Sequence, residues 1–367
     1  MRRTLKIFLA AAFIASAAGA AAAENWPFFK NDAERSGNSQ LTAGAAYSFK
    51  GEVEWSAPVP RDTSSSPSVY GGTIYFGTND GAMYAYSLKT SEERWKFDTG
   101  NWISTAPAVY GGQVFVTSYD SRLYCVDALT GDQLWQFTTS NNVQSSPAAA
   151  DGVVYFGSDD SYVYAVTIKT GWQKWKFKTD AAVTGSPIVA DGVVYVGNRS
   201  GKLYAIDCAT GKQKWRAIVG GSITSAPAAA DGLLYFTSQD GKLYCARIKH
   251  EAVIWNYDAK AQIETSPLVA NGRVVFGDIS GKVTALDARS GAKLWTFDAG
   301  GSVFSSAAYH DGTIYVGANG GKFFALDEAT GKPKWTLELG GDITATPAIA
   351  GGRIIVPTTA GELFSIK

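Results

Sequence analysis

The stretch Ala205-Ile206-Asp207-Cys208-Ala209-Thr210-Gly211-Lys212-Gln213-Lys214-Trp215 ends on a tryptophan that recurs at positions 55, 95, 135, 175, 215, 255, 295 and 335, one every forty residues. A fixed period of this length means that each unit is a supersecondary module that cannot bury its apolar faces alone and must stack on its neighbours. Working outward from Trp215, the turn pair Thr210-Gly211 precedes it, and the mostly apolar run Leu203-Tyr204-Ala205-Ile206 precedes that turn. Further upstream stands Asp191-Gly192, with counterparts at Gly71-Gly72, Gly111-Gly112, Asp151-Gly152, Asp231-Gly232, Asn271-Gly272, Asp311-Gly312 and Gly351-Gly352. Such pairs tolerate the positive φ angles of tight primed turns, and each leads into a β-branched and aromatic run such as Val153-Val154-Tyr155-Phe156. Breaks at Asp80-Gly81, Asp240-Gly241 and Ser280-Gly281 separate the second run from the third. Each repeat therefore reads as four short antiparallel strands.

No mature segment sustains a helical apolar period through these breakers, so the chain is all β. Four strands per repeat is the blade of a β-propeller, whose radial closure leaves few exposed strand edges. Seven full repeats run from 61 to 340, and the last, from 341 to 367, stops one strand short. Glu52-Val53-Glu54-Trp55 looks like the missing tryptophan strand, which predicts an eight-bladed ring closed by the N-terminal strand. Pro67, Pro107, Pro147, Pro187, Pro227, Pro267 and Pro347 fall in the first strand of their repeats, with Ala307 the exception. Proline is tolerated mainly on an edge strand, which makes the first strand the innermost, lining an axial channel. The recurring tryptophans, Trp55, Trp95, Trp135, Trp175, Trp215, Trp255, Trp295 and Trp335, read as a packing girdle between blades.

The first 23 residues stand apart. Arg2, Arg3 and Lys6 precede an apolar stretch from Ile7, and Ala21-Ala22-Ala23 ahead of Glu24 has the small-residue pattern of a signal peptidase site. The expected organisation is a signal peptide over 1–23, an extended segment over 24–51 and the propeller over 52–367. The protein is expected to be exported by the general secretory route to a periplasmic or secreted location. No cysteine lies near the cut for a lipoprotein anchor, and no other segment approaches transmembrane length. Of 33 basic residues, three precede the cut, leaving 30 against 33 acidic and a mature charge near −3. That balance argues against nucleic acid or an anionic membrane as partner. Cys125, Cys208 and Cys245 lie in different blades and read as small buried side chains rather than a disulfide.

The quoted stretch matches the Ala-x-Asp-x-x-Thr-Gly-x-x-x-Trp docking motif of the PQQ-like propellers, as do Ala285 to Trp295, with Ser290 for threonine, and Ala325 to Trp335. Asn25-Trp26-Pro27-Phe28, with Asp32, Arg35 and Gly37, also resembles the segment that often precedes such propellers. The resemblance covers nearly all of the mature chain and implies at least two functional classes, quinoprotein dehydrogenases and the non-catalytic BamB proteins of outer-membrane β-barrel assembly, beside secreted PQQ-like repeat proteins for which it supplies no ligand. The dehydrogenases carry adjacent cysteines in a vicinal disulfide, a calcium site and long insertions. This chain has no adjacent cysteines and no insertions between 61 and 340. Its length and compactness are similar to BamB, from which it departs in lacking the lipid-anchor cysteine.

Reactive constellations are scarce. His250 and His310 read as solvated turn residues, Asp159-Asp160 lacks the ligand alternation of a calcium loop, and the glycine pairs are hairpin turns with no helix after them. No catalytic residue and no metal site is expected. Function should lie where the blades differ. Strand direction puts the blade-to-blade loops and the loops after the second strands on one face, around the channel mouth. The first set contributes Arg61, Asp62, Trp102, Asn142, Gln144, Gln262, Glu264, Phe304 and Asp342; the second adds Tyr119, Arg122, Tyr162 and Arg199. Aromatic, arginine and amide groups around a concave mouth suit recognition of a peptide or sugar, with Trp102 the foremost candidate. Trp172 is a similar oddity on the opposite face. The expected function is a monomeric, non-catalytic protein-binding scaffold, in its most specific form a BamB-like partner of the barrel assembly machinery, with no cofactor. The alternative is a propeller binding PQQ, as a dehydrogenase would, or a carbohydrate at the channel mouth.

Overall fold

The computed structural model describes residues 25–27, 47–60 and 62–367. The expected signal peptide, most of the extended segment and Arg61 lie outside the described residues.

The described residues form 32 strands in eight four-stranded antiparallel sheets. Seven blades follow chain order, from β2-β3-β4-β5 (Ser68–Tyr70, Thr73–Gly77, Ala82–Ser87, Glu93–Asp98) to β26-β27-β28-β29 (Ala308–His310, Thr313–Gly317, Lys322–Asp327, Pro333–Glu338). The eighth is β1-β32-β31-β30, made of Val53–Pro58, Glu362–Ile366, Arg353–Thr358 and Ala348–Ala350, with Trp55 of β1 opposite Ser365 of β32. The amide of Lys367 donates to Glu52 O at 2.8 Å, and Glu54 takes the guanidinium of Arg353 and the ammonium of Lys367. The ring is thus closed by joining the two ends of the chain in one blade. Third strands are apolar on both faces, as in β4, where all six residues are buried, because each blade is sandwiched between two others.

The first strands are innermost, and those of neighbouring blades touch around the axis. The prolines stand one residue ahead of these three-residue strands rather than in them, as Pro67 does before Ser68–Tyr70. At that point the backbone turns sideways to the adjacent blade. Thr346 N–H donates to Ser66 Oγ, Ser146 N–H to Ser186 Oγ and Ser266 N–H to Ser306 Oγ, each at 2.9 Å. A proline just after such a serine costs no ladder hydrogen bond.

The quoted motif shows how blades dock. Asp207 Oδ1 accepts from the amide (2.9 Å) and hydroxyl (2.8 Å) of Thr210, shaping the turn; these bonds hold its carboxyl below the usual carboxylate range. Gly211 has φ +69°, and a Cβ there would come within 2.8 Å of the Trp175 ring in the preceding blade. Trp215 in turn is 7 % exposed and donates its indole N–H to Ile248 O in the following blade at 3.3 Å. Tyr195 OH donates to the same carbonyl at 2.8 Å. Burying such an indole contributes roughly 2 to 3 kcal/mol of transfer free energy. At the closing blade Trp335 makes the equivalent bond to Phe49 O at 3.0 Å.

Two buried or half-buried side chains also depart from the sequence reading. His310 is buried at the end of β26: its Nε2 accepts from Tyr47 N–H at 3.2 Å, and its ring stacks on that of Tyr47 with centroids 5.8 Å apart. Burial pushes its pKa down. The residues that cover it, Tyr47 and Phe49, come from the N-terminal segment, far outside its own repeat. Cys125 and Cys245 are buried, but Cys208 is only half-buried, and all three are free thiols. Trp26, in turn, pairs with the axial edge of β2. Its N–H donates to Val69 O at 2.6 Å, Val69 N–H donates back at 2.7 Å, and Val109 N–H donates to Pro27 O at 2.7 Å. Trp26 is 1 % exposed, in one apolar cluster with Val69, Ala308 and Ile349.

Candidate binding site at the channel mouth

Antiparallel alternation brings the blade-to-blade loops and the loops after the second strands to one face, and the backbone ties them together. Asn79 N–H donates to Asp62 O (3.2 Å), Tyr119 to Trp102 (3.0 Å), Asp159 to Asn142 (2.9 Å), Ile279 to Gln262 (3.1 Å) and Thr359 to Asp342 (3.0 Å), one register repeated around the ring. This rigid double ring of backbone carries side chains that differ from blade to blade.

One arc is aromatic and amide. Trp102 is 56 % exposed and lies against Tyr119, ring centroids 6.1 Å apart. Tyr119 OH donates to Gln144 Oε1 at 3.1 Å, and Gln144 Nε2 donates to Asp159 Oδ2 at 2.6 Å. A second arc centres on Glu264, whose carboxylate accepts from Gln239 Nε2 (2.9 Å), Thr224 Oγ1 (3.2 Å) and Gln262 Nε2. Asp62 accepts from Asn79 Nδ2 at 2.9 Å, and Asp342 Oδ1 from Gly320 N–H at 2.8 Å. Phe304, 38 % exposed, stands alone in its column as an apolar side chain. Arg199 is exposed, with its amide bonded to Ala182 O.

Arg122 and Tyr162 are the first residues of β8 (Arg122–Asp127) and β12 (Tyr162–Thr167), not loop residues. The guanidinium of Arg122 lies 3.3 Å from Tyr124 OH and 3.5 Å from Asp120, and Tyr162 has Lys178 Nζ 4.3 Å from its ring centroid. Both are engaged on blade flanks because the strand begins one residue earlier than turn chemistry suggested. Trp172, 76 % exposed, belongs to a third turn on the opposite face.

Sequence reading passed over four mouth residues: Asp159, dismissed as part of an acidic loop, and Thr184, Asn319 and Thr344. Each has a buried side-chain oxygen, Asp159 Oδ1, Thr184 Oγ1, Asn319 Oδ1 and Thr344 Oγ1, without a hydrogen-bond partner. The signal available was positional, since all four belong to the same two columns of the repeat.

The arrangement presents hydrogen-bonding groups and aromatic faces rather than an activated nucleophile. Among the described residues no group of three or more His, Cys, Asp or Glu is placed to hold a metal ion. The vicinal cysteines of quinone-binding propellers have no counterpart: Cys125 and Cys245 sit inside β8 and β20 (Lys242–Arg247), their thiols pushed up to about 12 by burial. The mouth residues thus do not fit that mode of holding a quinone. No helix among the described residues is long and apolar enough to cross a membrane.

Sequence comparison finds a family described as "Beta-alanine-activating enzyme, beta-propeller" over residues 127–367 and one described as "Outer membrane protein assembly factor BamB" over residues 35–101. No individual protein of curated function matches. Among solved structures, BamB from Moraxella catarrhalis is 17 % identical, with TM-score 0.74, covering 86 % of this chain and 96 % of its own. The computationally designed Ika8 protein is 16 % identical, with TM-score 0.74 and coverage of 88 % and 99 %. The quinohemoprotein alcohol dehydrogenase ADHIIG from Pseudomonas putida HK5 is 14 % identical, with TM-score 0.82 and coverage of 96 % and 81 %. At these identities the structural likenesses speak for the fold, a PQQ-like propeller.

Proposed function

The chain belongs to the family described as beta-alanine-activating enzyme, beta-propeller, and on that premise we propose that it is an exported, non-catalytic binding scaffold that engages a protein partner through the channel-mouth face. The barrel assembly machinery of the outer membrane is the partner class proposed, in keeping with the BamB match over residues 35–101. The observation that carries the reading is the contrast at the mouth. A backbone register repeated around the ring holds side chains that vary among the blades, with Trp102 exposed among them. The exposed Trp102 indole lies against a second aromatic ring, Tyr119, which hydrogen-bonds Gln144, and aromatic anchors of this kind are enriched at the centre of protein interfaces. The opposite end of the axis is less available, since Trp26 and Asn25 are stitched to β2 and its hairpin turn there. No quinone takes part in this reading.

In-cell crosslinking of the tagged mature protein, with Trp102→Ala in parallel, tests it. Recovery of an outer-membrane barrel or its assembly proteins, reduced in the variant, is the expected result. Recovery of no partner together with saturable binding of PQQ to the purified protein would overturn it in favour of the quinoprotein class.

A further inference from the structure

At six seams a glycine two residues ahead of an outer strand lies against the tryptophan of the preceding blade. Gly211 does so against Trp175 and Gly331 against Trp295, and an added Cβ at any of the six would come within 2.5 to 2.8 Å of the ring. That contact has no room for a side chain, yet Ser91 and Glu251 hold the position at the other two seams. Clefts open at both of these seams: about 330 Å³ where blade eight meets blade one, and about 250 Å³ where blade four meets blade five. Both are bordered by hairpin and third turns, on the face opposite the mouth.

The two clefts differ in charge. The one between blades four and five sets Asp191 beside Lys214 and Lys249. The closing-seam cleft is lined by Lys89, Arg94 and Arg353 with Leu88, Gly72 and Gly351 and, among the described residues, by no carboxylate. Arg353 is held by Glu54 at 2.7 Å, which also takes Lys367, and the Arg94 guanidinium donates to Thr73 Oγ1. Neither Lys89 nor Arg94 enters an ion pair among the described residues. Glu92 and Glu93 precede Arg94 in the chain without lining the cleft, and Glu92 accepts from Thr90 Oγ1 at 2.9 Å. The slight acidity of the mature chain counts for little here, since exposed charges farther off than about 8 Å are largely screened at physiological ionic strength. A guanidinium beside an ammonium matches the oxygens of a phosphate, which the first takes as a fork and the second as a point charge. An added Cβ at Gly72 would meet nothing within 4 Å, so bare backbone borders the site, and the volume exceeds that of a phosphate ion, leaving room for the group it esterifies. We propose that the closing-seam cleft binds a phosphate monoester, with Arg94 and Lys89 holding the phosphate oxygens. This site lies on the face away from the protein-docking surface and goes beyond that role.

The test is calorimetric titration of the full mature protein with inorganic phosphate, glycerol 3-phosphate and, as a singly charged control, acetate, together with co-sedimentation on vesicles containing phosphatidic acid. Glycerol 3-phosphate should bind saturably, more tightly than acetate, and more weakly as salt is raised. Arg94→Gln and Lys89→Gln should each weaken it roughly tenfold with little change in Tm, because both side chains are exposed. Lys214→Gln, at the other seam, should leave it unchanged. Binding to the vesicles alone, lost in the Arg94 and Lys89 variants, supports the same site with a lipid headgroup as the source of the phosphate. Partner crosslinking by these variants should match wild type, so that failure of this site and failure of the docking role are read separately. Absence of saturable binding to phosphate, ester and vesicles overturns the proposal. So does binding that Arg94→Gln and Lys89→Gln leave intact, or an equal loss from Lys214→Gln, which would reduce the effect to overall charge.

Discussion

The girdle of tryptophans and the channel mouth are made by the same eight repeats, yet they obey opposite rules. At the girdle, Trp95, Trp175, Trp215 and Trp295 sit at nearly the same exposure and each donates to a carbonyl of the next blade. At the mouth the backbone bonds repeat, but Asp62, Trp102, Asn142 and Ala182 share a column with little chemistry in common. Sameness marks where every blade faces the same neighbour, so one bond recurs at six seams, while the indole nitrogens of Trp55 and Trp255 are buried without a partner. Difference marks the surface that no blade covers, where sequence is free to answer to something outside the chain.

The comparison breaks most severely if the ring is opened. Deleting residues 47–60 removes β1 and the Phe49 carbonyl that receives the Trp335 indole, and we expect no cooperative thermal transition. A truncated protein melting like the mature chain would show that blade eight closes without its outer strand. Next in size, Trp215→Ala should destabilise by about 3 to 5 kcal/mol in urea titrations, while Trp102→Ala should change stability by no more than about 0.5 kcal/mol. Similar losses from both would erase the distinction between girdle and mouth. Gly211→Ala should cost about 1 to 3 kcal/mol, because φ +69° disfavours a Cβ that would also press on Trp175; a neutral result would mean the seam relaxes freely.

The smallest effect concerns His310, which belongs to neither surface. Its folded-state pKa is lowered by burial, so as pH falls through about 6.5 the unfolded chain takes up the proton first. Stability should therefore decline from neutral pH downward through that window, and His310→Gln should flatten the decline. A variant that keeps the full slope would place the titration elsewhere.

Much of this was legible in the chain. The eight blades, the four strands in each, the partnership of β1 with β32 and the shared face of the two loop sets all follow from turn pairs and strand alternation. Within the mouth, Trp102 and Gln144 could be found because they break a column. Asp159, Thr184, Asn319 and Thr344 offered only their place in two columns, because each looks ordinary beside its own neighbours; that each keeps a buried side-chain oxygen without a partner shows only once the ring has closed. His310 was misjudged for a related reason, as the residues that bury it come from 47–49, far outside its repeat.

The sequence by itself determined the module, the number of modules and the closure, because primed turns, alternating strands and a forty-residue period are properties of local chain chemistry. Only the tertiary structure decided which mouth side chains meet, which oxygens are left without partners, and that Trp26 lies along the axial edge of β2. Those outcomes depend on how far one blade stands from the next and how long each side chain is, and neither distance exists until the ring has closed.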